Sequence, residues 1–340
     1  MILEGRGLVK RFPWGRAFLG PRRWVHAVTD VTLGVGPAET LAVVGESGSG
    51  KTTTGRLLAG LEAPTAGEVW FAGAPVSTLQ GDAWRRYRLG VQVVFQDSQA
   101  SLNPRQTVEQ VLRTALAARA RAGAPARGAG KEDAAGQDDV AAVRRLLTEV
   151  GLEPPEVFLR RFPHQLSGGQ RQRVNIARAL AVDPEVIVAD EAVSALDLSV
   201  RAQILLLLQR VQRQRQVAFV FISHDLAVVR AVAHRVAVMY LGRIVEDGPT
   251  EAVFRRPGHP YTAALLSATP VPDPRAARTR RRILLPGDPP SPLAPPDGCP
   301  FHPRCPMAQE ICRRTFPPLV DLGGGQRALC HFAGEVSGTS

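Results

Sequence analysis

The chain has 340 residues, enough for one large domain with an appendage, and 44% of them are hydrophobic, enough for a sizeable core. Its apolar residues come in short runs such as 186–188 and 217–222, far below the roughly 20 needed to cross a bilayer, and residues 1–12 lack the apolar stretch and cleavage site of a signal peptide, so a soluble cytoplasmic chain is expected. The net charge of +11 is scattered and carried almost wholly by arginine, which speaks against a nucleic-acid-binding stripe; lysine occurs only at Lys10, Lys51 and Lys131.

Along the chain, residues 39–44 form an apolar run ending in a glycine-rich turn, which reads as a buried strand leading into a helix. The turn, Gly45-Glu46-Ser47-Gly48-Ser49-Gly50-Lys51-Thr52 with Thr53 following, fits the phosphate-binding P-loop pattern in the strand-to-helix context that pattern requires. Backbone amides at a helix start concentrate positive potential, and only glycine lets the backbone come so close to phosphate. The pattern predicts that Lys51 reaches the β and γ phosphates and that Thr52 ligates Mg²⁺.

Further strands are predicted at 91–95, 186–190 and 217–223, alternating with helical patterns at 107–119, 139–150, 168–181 and 199–213, so the core is α/β. Residues 115–139, rich in alanine, glycine and charge, read as a helical insert containing a solvated loop. Leu166-Ser167-Gly168-Gly169-Gln170 opens a helix and predicts a second anion site, made by Ser167 and the glycine amides. The strand at 186–190 delivers Asp190 and then Glu191 at its C-terminal end, where ligands of open α/β sheets bind. Asp190 is expected to hold Mg²⁺ through its water shell, and Glu191 to orient or deprotonate the attacking water. Residues 270–296, dense in proline, read as an extended linker or wrapped arm, which sets a boundary near residue 265.

Two glycine-bearing helix starts and a paired-acid strand in one chain resemble the ABC ATPase family, in which the Leu166–Gln170 motif is the distinguishing signature. The resemblance implies a P-loop NTPase fold: a RecA-like core with an antiparallel β subdomain and a helical signature subdomain at about 98–180, all within residues 1–265, followed by a small extension at 266–340. It implies a head-to-tail dimer in which the signature of one subunit closes over ATP held by the P-loop of the other. Gln96 resembles the glutamine that senses the γ-phosphate and Mg²⁺ beside the membrane-subunit contact, His224 the switch histidine, and Ser194-Ala195-Leu196-Asp197 the interface loop carrying Asp197. Phe12, with Trp24 as alternative, is the candidate aromatic for stacking on adenine. The sequence departs from the family at Ala192, where proline is usual, and at Gln165, where glutamate is common; neither removes a phosphate ligand.

Three segments, residues 95–104, His259-Pro260-Tyr261-Thr262 and Gly298-Cys299-Pro300-Phe301-His302-Pro303-Arg304-Cys305, together resemble the oligopeptide, dipeptide and nickel importer branch. The insert after Phe12 resembles the second of that branch's paired ATPases. The branch implies a related second ATPase, two transmembrane permease subunits and an extracytoplasmic solute-binding protein, with the chain peripheral on the cytoplasmic face of the cell membrane. Cys299, Cys305, Cys312 and Cys330 are the only cysteines and all follow the ATPase core. In a cytoplasmic chain they suggest a metal more than disulfides. Some members of the branch that resemble the chain here carry a [4Fe-4S] cluster in this tail; zinc and unliganded thiols remain alternatives. A soluble ABC ATPase acting on nucleic acid or ribosomes is a competing reading, disfavoured by the lack of tandem ATPase domains, long coiled coils or zinc modules in the core.

Overall fold

A computed structural model describes residues 1–15, 23–97, 101–123, 139–194, 196–269 and 282–336. In chain order the strands and helices are β1 (Leu3–Trp14), β2 (Arg23–Val35), β3 (Thr40–Val44), α1 (Lys51–Leu58), β4 (Ala66–Phe71), β5 (Ala74–Pro75), α2 (Gly81–Gly90), β6 (Val91–Val94), α3 (Val108–Arg121), α4 (Asp139–Glu149), α5 (Glu156–Leu159), α6 (Gly168–Ala181) and β7 (Val186–Asp190). They continue with α7 (Leu198–Arg215), β8 (Ala218–Ser223), α8 (Leu226–Val232), β9 (Arg235–Tyr240), β10 (Arg243–Pro249), α9 (Thr250–Arg255), α10 (Pro260–Ala268), α11 (Glu310–Arg314), β11 (Leu319–Gly323) and β12 (Gln326–Leu329). No described helix is long and apolar enough to cross a membrane.

The chain divides into two compact units, with the division falling inside β8. One gathers Met1–Leu3, Val35–Glu39 and Phe71–Val220; the other gathers Glu4–Gly34, Thr40–Trp70 and Phe221–Ser340. In the first, β6 and β7 pair in parallel from Val91 opposite Val186 to Val94 opposite Ala189. Beside them α3 packs on α4 and α6, sealed by fully buried Leu112, Leu147, Val174, Ile176 and Leu180. Thr107 and Gln110 form a reciprocal capping box that fixes where α3 begins. Arg215, bonded to both carboxylate oxygens of Glu149 at 2.7 and 2.5 Å, ties the end of α7 to the end of α4.

In the second unit β1 lies between β2 and β4 in one sheet, and the strands of another run β11-β12-β10-β9-β3. Every residue of β3 is buried, as expected of a parallel strand covered on both faces. It pairs in parallel with β9, Leu41 opposite Arg235 through Val44 opposite Val238. Strand β10 is antiparallel to β9 on one side and to β12 on the other. The last two strands thus extend the sheet that starts at β3. Inside it Glu246 is wholly buried and accepts from the amides of Gly258 and His259 at 2.7 and 2.9 Å and from Gln326 Nε2 at 2.8 Å. Burial raises its carboxyl pKa, and those donors partly offset the rise. Upstream of the hairpin, Pro292 accepts a 3.0 Å bond from the amide of His26 on β2, so the proline-rich segment lies against the unit.

The four strands and four helices expected from the sequence form close to their expected bounds, α6 and β7 residue for residue. Residues 124–138, containing the loop of the predicted insert, lie outside the described residues, as do 16–22, 98–100, Ala195 and 270–281.

Candidate active site

The loop from β3 to α1 owes its path to its glycines. Gly45, Gly48 and Gly50 have φ of 152°, 77° and 103°, where a side chain is strained. A Cβ on Gly45 would lie 2.1 Å from the Met239 carbonyl oxygen, and one on Gly50 would lie 2.2 Å from that of Ala27, whereas one on Gly48 would meet nothing within 4 Å. Two of the three are therefore demanded by close backbone approach and the third by torsion alone. The neighbouring turn locks the loop from below: Gly242 N donates to Ser49 O at 2.9 Å.

Lys51 opens α1 and is buried. Its ammonium donates to the carbonyls of Gly45 and Glu46 at 2.8 and 2.7 Å, so the cation lies across the loop. Gly50, the residue preceding α1, supplies no capping side chain, and the first turn holds no acid; a helix start with these traits suits an anion. The Glu46 amide donates to Tyr261 Oη at 2.8 Å, and its carboxylate pairs with Arg304 at 2.8 Å. Thr52 and Thr53 lie in the first turn of α1 and are half-buried.

His224 shares this unit; it is exposed and sits between the end of β8 and α8. Its neighbour Asp225 caps α8 by accepting from the amides of Ala227 and Val228 at 3.0 and 3.2 Å, which fixes the backbone leaving the strand. Phe12 is half-buried, with the Lys10 ammonium 5.0 Å from its ring centroid, and Trp24 is exposed.

The other unit holds Gln96, Ser167–Gln170, Asp190, Glu191 and Asp197. Asp190 ends β7 and is buried. Glu191 follows with φ of 47°, a left-handed backbone unusual for a side chain of its size and typical of functional turns. The turn is held because the Ser194 amide and hydroxyl both donate to the Glu191 carbonyl, at 3.1 and 3.0 Å. Ala192, where the family has proline, is buried.

Ser167 is the exposed N-cap of α6, its Oγ accepting from Gln170 N at 3.2 Å while Gln170 Oε1 accepts from Ser167 N at 3.0 Å. That reciprocal box explains why serine and glutamine stand three apart here. Gln96 is exposed just beyond β6, and Asp197 precedes α7, accepting at its carbonyl from Arg201 N at 2.8 Å.

In the extension Cys299, Cys312 and Cys330 are buried and Cys305 half-buried, and none forms a disulfide. The segments bearing Cys299 and Cys312 are tied by a 2.8 Å bond from the amide of the first to the carbonyl of the second. Burial pushes the Cys299 thiol up to about 11 and that of Cys305 up to about 12, and the neighbouring cysteines add to both. Among the described residues no group of three or more His, Cys, Asp or Glu is arranged to hold a metal ion.

Sequence reasoning missed what Tyr261 and Arg304 do. Both lay in segments singled out for their likeness to the importer branch, yet nothing in a linear pattern tells that both reach Glu46.

Comparison with known proteins follows these features closely. Residues 28–194 match the family model for ABC transporters, and residues 245–312 match that for the C-terminal region of oligopeptide/dipeptide transporters. The chain is 49% identical over 307 residues to a probable peptide ABC transporter ATP-binding protein of Sinorhizobium fredii, covering 90% of this chain and 82% of that one. It is 47% identical over 336 residues to a putative peptide import ATP-binding protein of Brucella abortus, covering 97% and 94%. An ATP-binding cassette solved as a dimer after hydrolysis, with ADP and Pi bound, superposes with a TM-score of 0.60 at 28% identity, over 73% of this chain and 98% of that one. Joined to a phosphate loop whose path requires glycine at three positions and to a capped signature helix, these matches establish that the chain belongs to the ATP-binding protein family of ABC transporters and is one of its ATPases.

Proposed function

We propose that this ATPase powers peptide import, coupling ATP binding and hydrolysis in a head-to-tail dimer to the uptake of di- and oligopeptides. The observation that carries the reading is the 47% identity running over 97% of the chain to a putative peptide import ATP-binding protein, because that likeness includes the extension as well as the motor. The partners are a related second ATPase, two permease subunits and an extracytoplasmic solute-binding protein, and the chain sits on the cytoplasmic face of the cell membrane. Residues 1–265 form the nucleotide-binding part and 266–340 the extension. Nickel or another solute is the nearest alternative cargo.

In this reading amides of the Gly45–Thr53 loop, other than that of Glu46, which Tyr261 holds, and the Lys51 ammonium grip the β and γ phosphates. Thr52, Gln96 and Asp190 offer the hard oxygen donors that suit Mg²⁺, which when bound neutralises phosphate charge. Glu191 takes the proton of the attacking water, His224 contacts the γ-phosphate, and Phe12 stacks on adenine. Ser167, Gly168, Gly169 and Gln170 face the nucleotide of the partner subunit, with Asp197 at that interface. Closure around two ATP molecules then pulls on permease helices docked near Gln96.

The four cysteines match a [4Fe-4S] cluster in donor type and number, though their arrangement among the described residues is not that of a metal site. Iron and acid-labile sulfide in anaerobically purified protein support the cluster; a folded, colourless, iron-free chain removes it.

Glu191→Gln tests the motor. ATP turnover by the assembled transporter should fall about 10²- to 10⁴-fold, the usual contribution of a general base, while MgATP remains bound in a closed dimer. Turnover within threefold of wild type would remove Glu191 from the catalytic role.

A further inference from the structure

The amide, the carbonyl and the side chain of one P-loop residue, Glu46, are all held from outside the segment that carries the nucleotide-binding pattern or by the P-loop lysine. Its amide donates to Tyr261 Oη at 2.8 Å. Its carbonyl accepts from Lys51 Nζ at 2.7 Å and from Ser49 N at 3.2 Å. Its two carboxylate oxygens accept separately from Arg304 Nη1 and Nη2, at 2.8 and 3.3 Å. This is a two-pronged pairing across 258 positions of sequence, in which the guanidinium is buried and the carboxylate half-buried. A planar fork on a carboxylate is the geometry that makes arginine more specific than lysine.

The groups that reach Glu46 are themselves rigid. Tyr261 is fully buried in the first turn of α10, where its amide donates to His259 Nδ1 at 3.0 Å. His259 is buried, and that burial holds its ring neutral, with a pKa down to about 3. Arg304 ends a 3₁₀ turn at His302–Arg304 that contains Pro303, and its amide donates to Phe301 O at 3.0 Å. The Phe301 ring packs against Tyr240 and Tyr261, with centroids 5.2 and 5.4 Å away. The turn that carries Arg304 is therefore seated, through Phe301, on the aromatic cluster that also holds Tyr261. Tyr240 also faces the Arg304 guanidinium and, with Glu46, favours its charged form against the cost of burial, while the two-pronged bond to the Glu46 carboxylate gives the guanidinium its anionic partner.

The chemistry of the loop gives this pair a purpose. A site for a polyanion is weakened by a fixed carboxylate in its own wall unless that charge is neutralised. We propose that Arg304, carried by the C-terminal extension, is a positioning residue for ATP: it cancels the charge of Glu46 and, with Tyr261, holds the P-loop in its phosphate-accepting shape. The extension is thereby part of the nucleotide site. This rests on the reading of the loop as the ATP cradle.

The test is MgATP affinity of the full-length chain, measured by calorimetry, for wild type, Arg304→Met, Arg304→Lys and the double variant Arg304→Met with Glu46→Gln, with thermal unfolding of each. Arg304→Met should weaken MgATP binding about tenfold, and adding Glu46→Gln should recover affinity to within about threefold of wild type, because the repelling charge is gone. Arg304→Lys, which keeps the charge but lacks the fork, should lose two- to fourfold, and it carries the comparison if Arg304→Met does not fold. A folded Arg304→Met or Arg304→Lys that binds as wild type, or a double variant as weak as the single one, would overturn the inference. A wild-type chain that binds no MgATP would instead remove the nucleotide reading itself.

Discussion

Helices α1 and α6 both start beside glycines, and they begin differently. Helix α1 starts at Lys51 behind Gly50, with no side chain to cap it, a left-handed backbone at its threshold and carbonyls of Ala27 and Met239 pressed against the places where side chains would stand. Helix α6 starts behind Ser167, which caps it in a reciprocal box with Gln170. Its two glycines have ordinary helical torsions, and a Cβ on Gly168 would find its nearest neighbour, Leu196 Cδ2, at 3.7 Å. The first start has no capping side chain and no acid in its first turn, traits that suit an anion. The second is capped by its own side chains, which fits the proposal that it meets a nucleotide only when a partner subunit brings one. Glycine content is common to both; the torsions and the caps separate a cradle from a lid.

That contrast can be broken most directly at Gly50. Gly50→Ala forces a Cβ into the Ala27 carbonyl and keeps a left-handed φ, a strain of about 1–2 kcal/mol before any clash. MgATP affinity should fall about 100-fold, and calorimetry showing a loss below threefold would mean that the loop does not need the pinch. Next in size, Gly169→Ala would bring a Cβ to 2.5 Å from Val200 Cγ1, an overpacking worth about 1–3 kcal/mol. Denaturant unfolding should register that loss, with Gly168→Ala neutral or slightly stabilising beside it; equal effects at the two positions would show that the start of α6 is uniformly tight. Smallest is Ser167→Ala, which removes the cap at a cost of about 1 kcal/mol. It should lower the melting temperature by a few degrees and leave MgATP binding by the isolated chain as it was, whereas weaker binding by that chain would erase the distinction between the two starts.

How much was legible beforehand follows from where the information lies. Strand β7 and helix α6 could be read to the residue because an apolar run ending in Asp190-Glu191, and a serine and glutamine three apart ahead of a helix, are local signals. The P-loop was equally local. The strained turn at Glu191 was not, since its left-handed φ depends on the Ser194 bonds and is carried by no residue type that advertises it. The hairpin β11–β12 was missed because β11 buries none of its residues and β12 buries Gln326 and Ala328 only beside the edge that β10 offers. In the sequence Arg304 stands out only as part of a cysteine-bearing motif. Its pairing with Glu46 joins positions 258 apart, and no periodicity reports on that.

Joining such distant positions imposes an order on synthesis. Residues 71–220 leave the ribosome as one stretch and can settle early, but the unit built on β1, β2 and β3 waits for everything from Phe221 onward. Until β12 emerges, β10 presents a bare strand edge, and the Glu246 carboxylate lacks Gln326. The phosphate loop is translated early and braced late, so a chain interrupted before residue 304 would carry every nucleotide-binding motif and still lack the arginine that steadies the first of them.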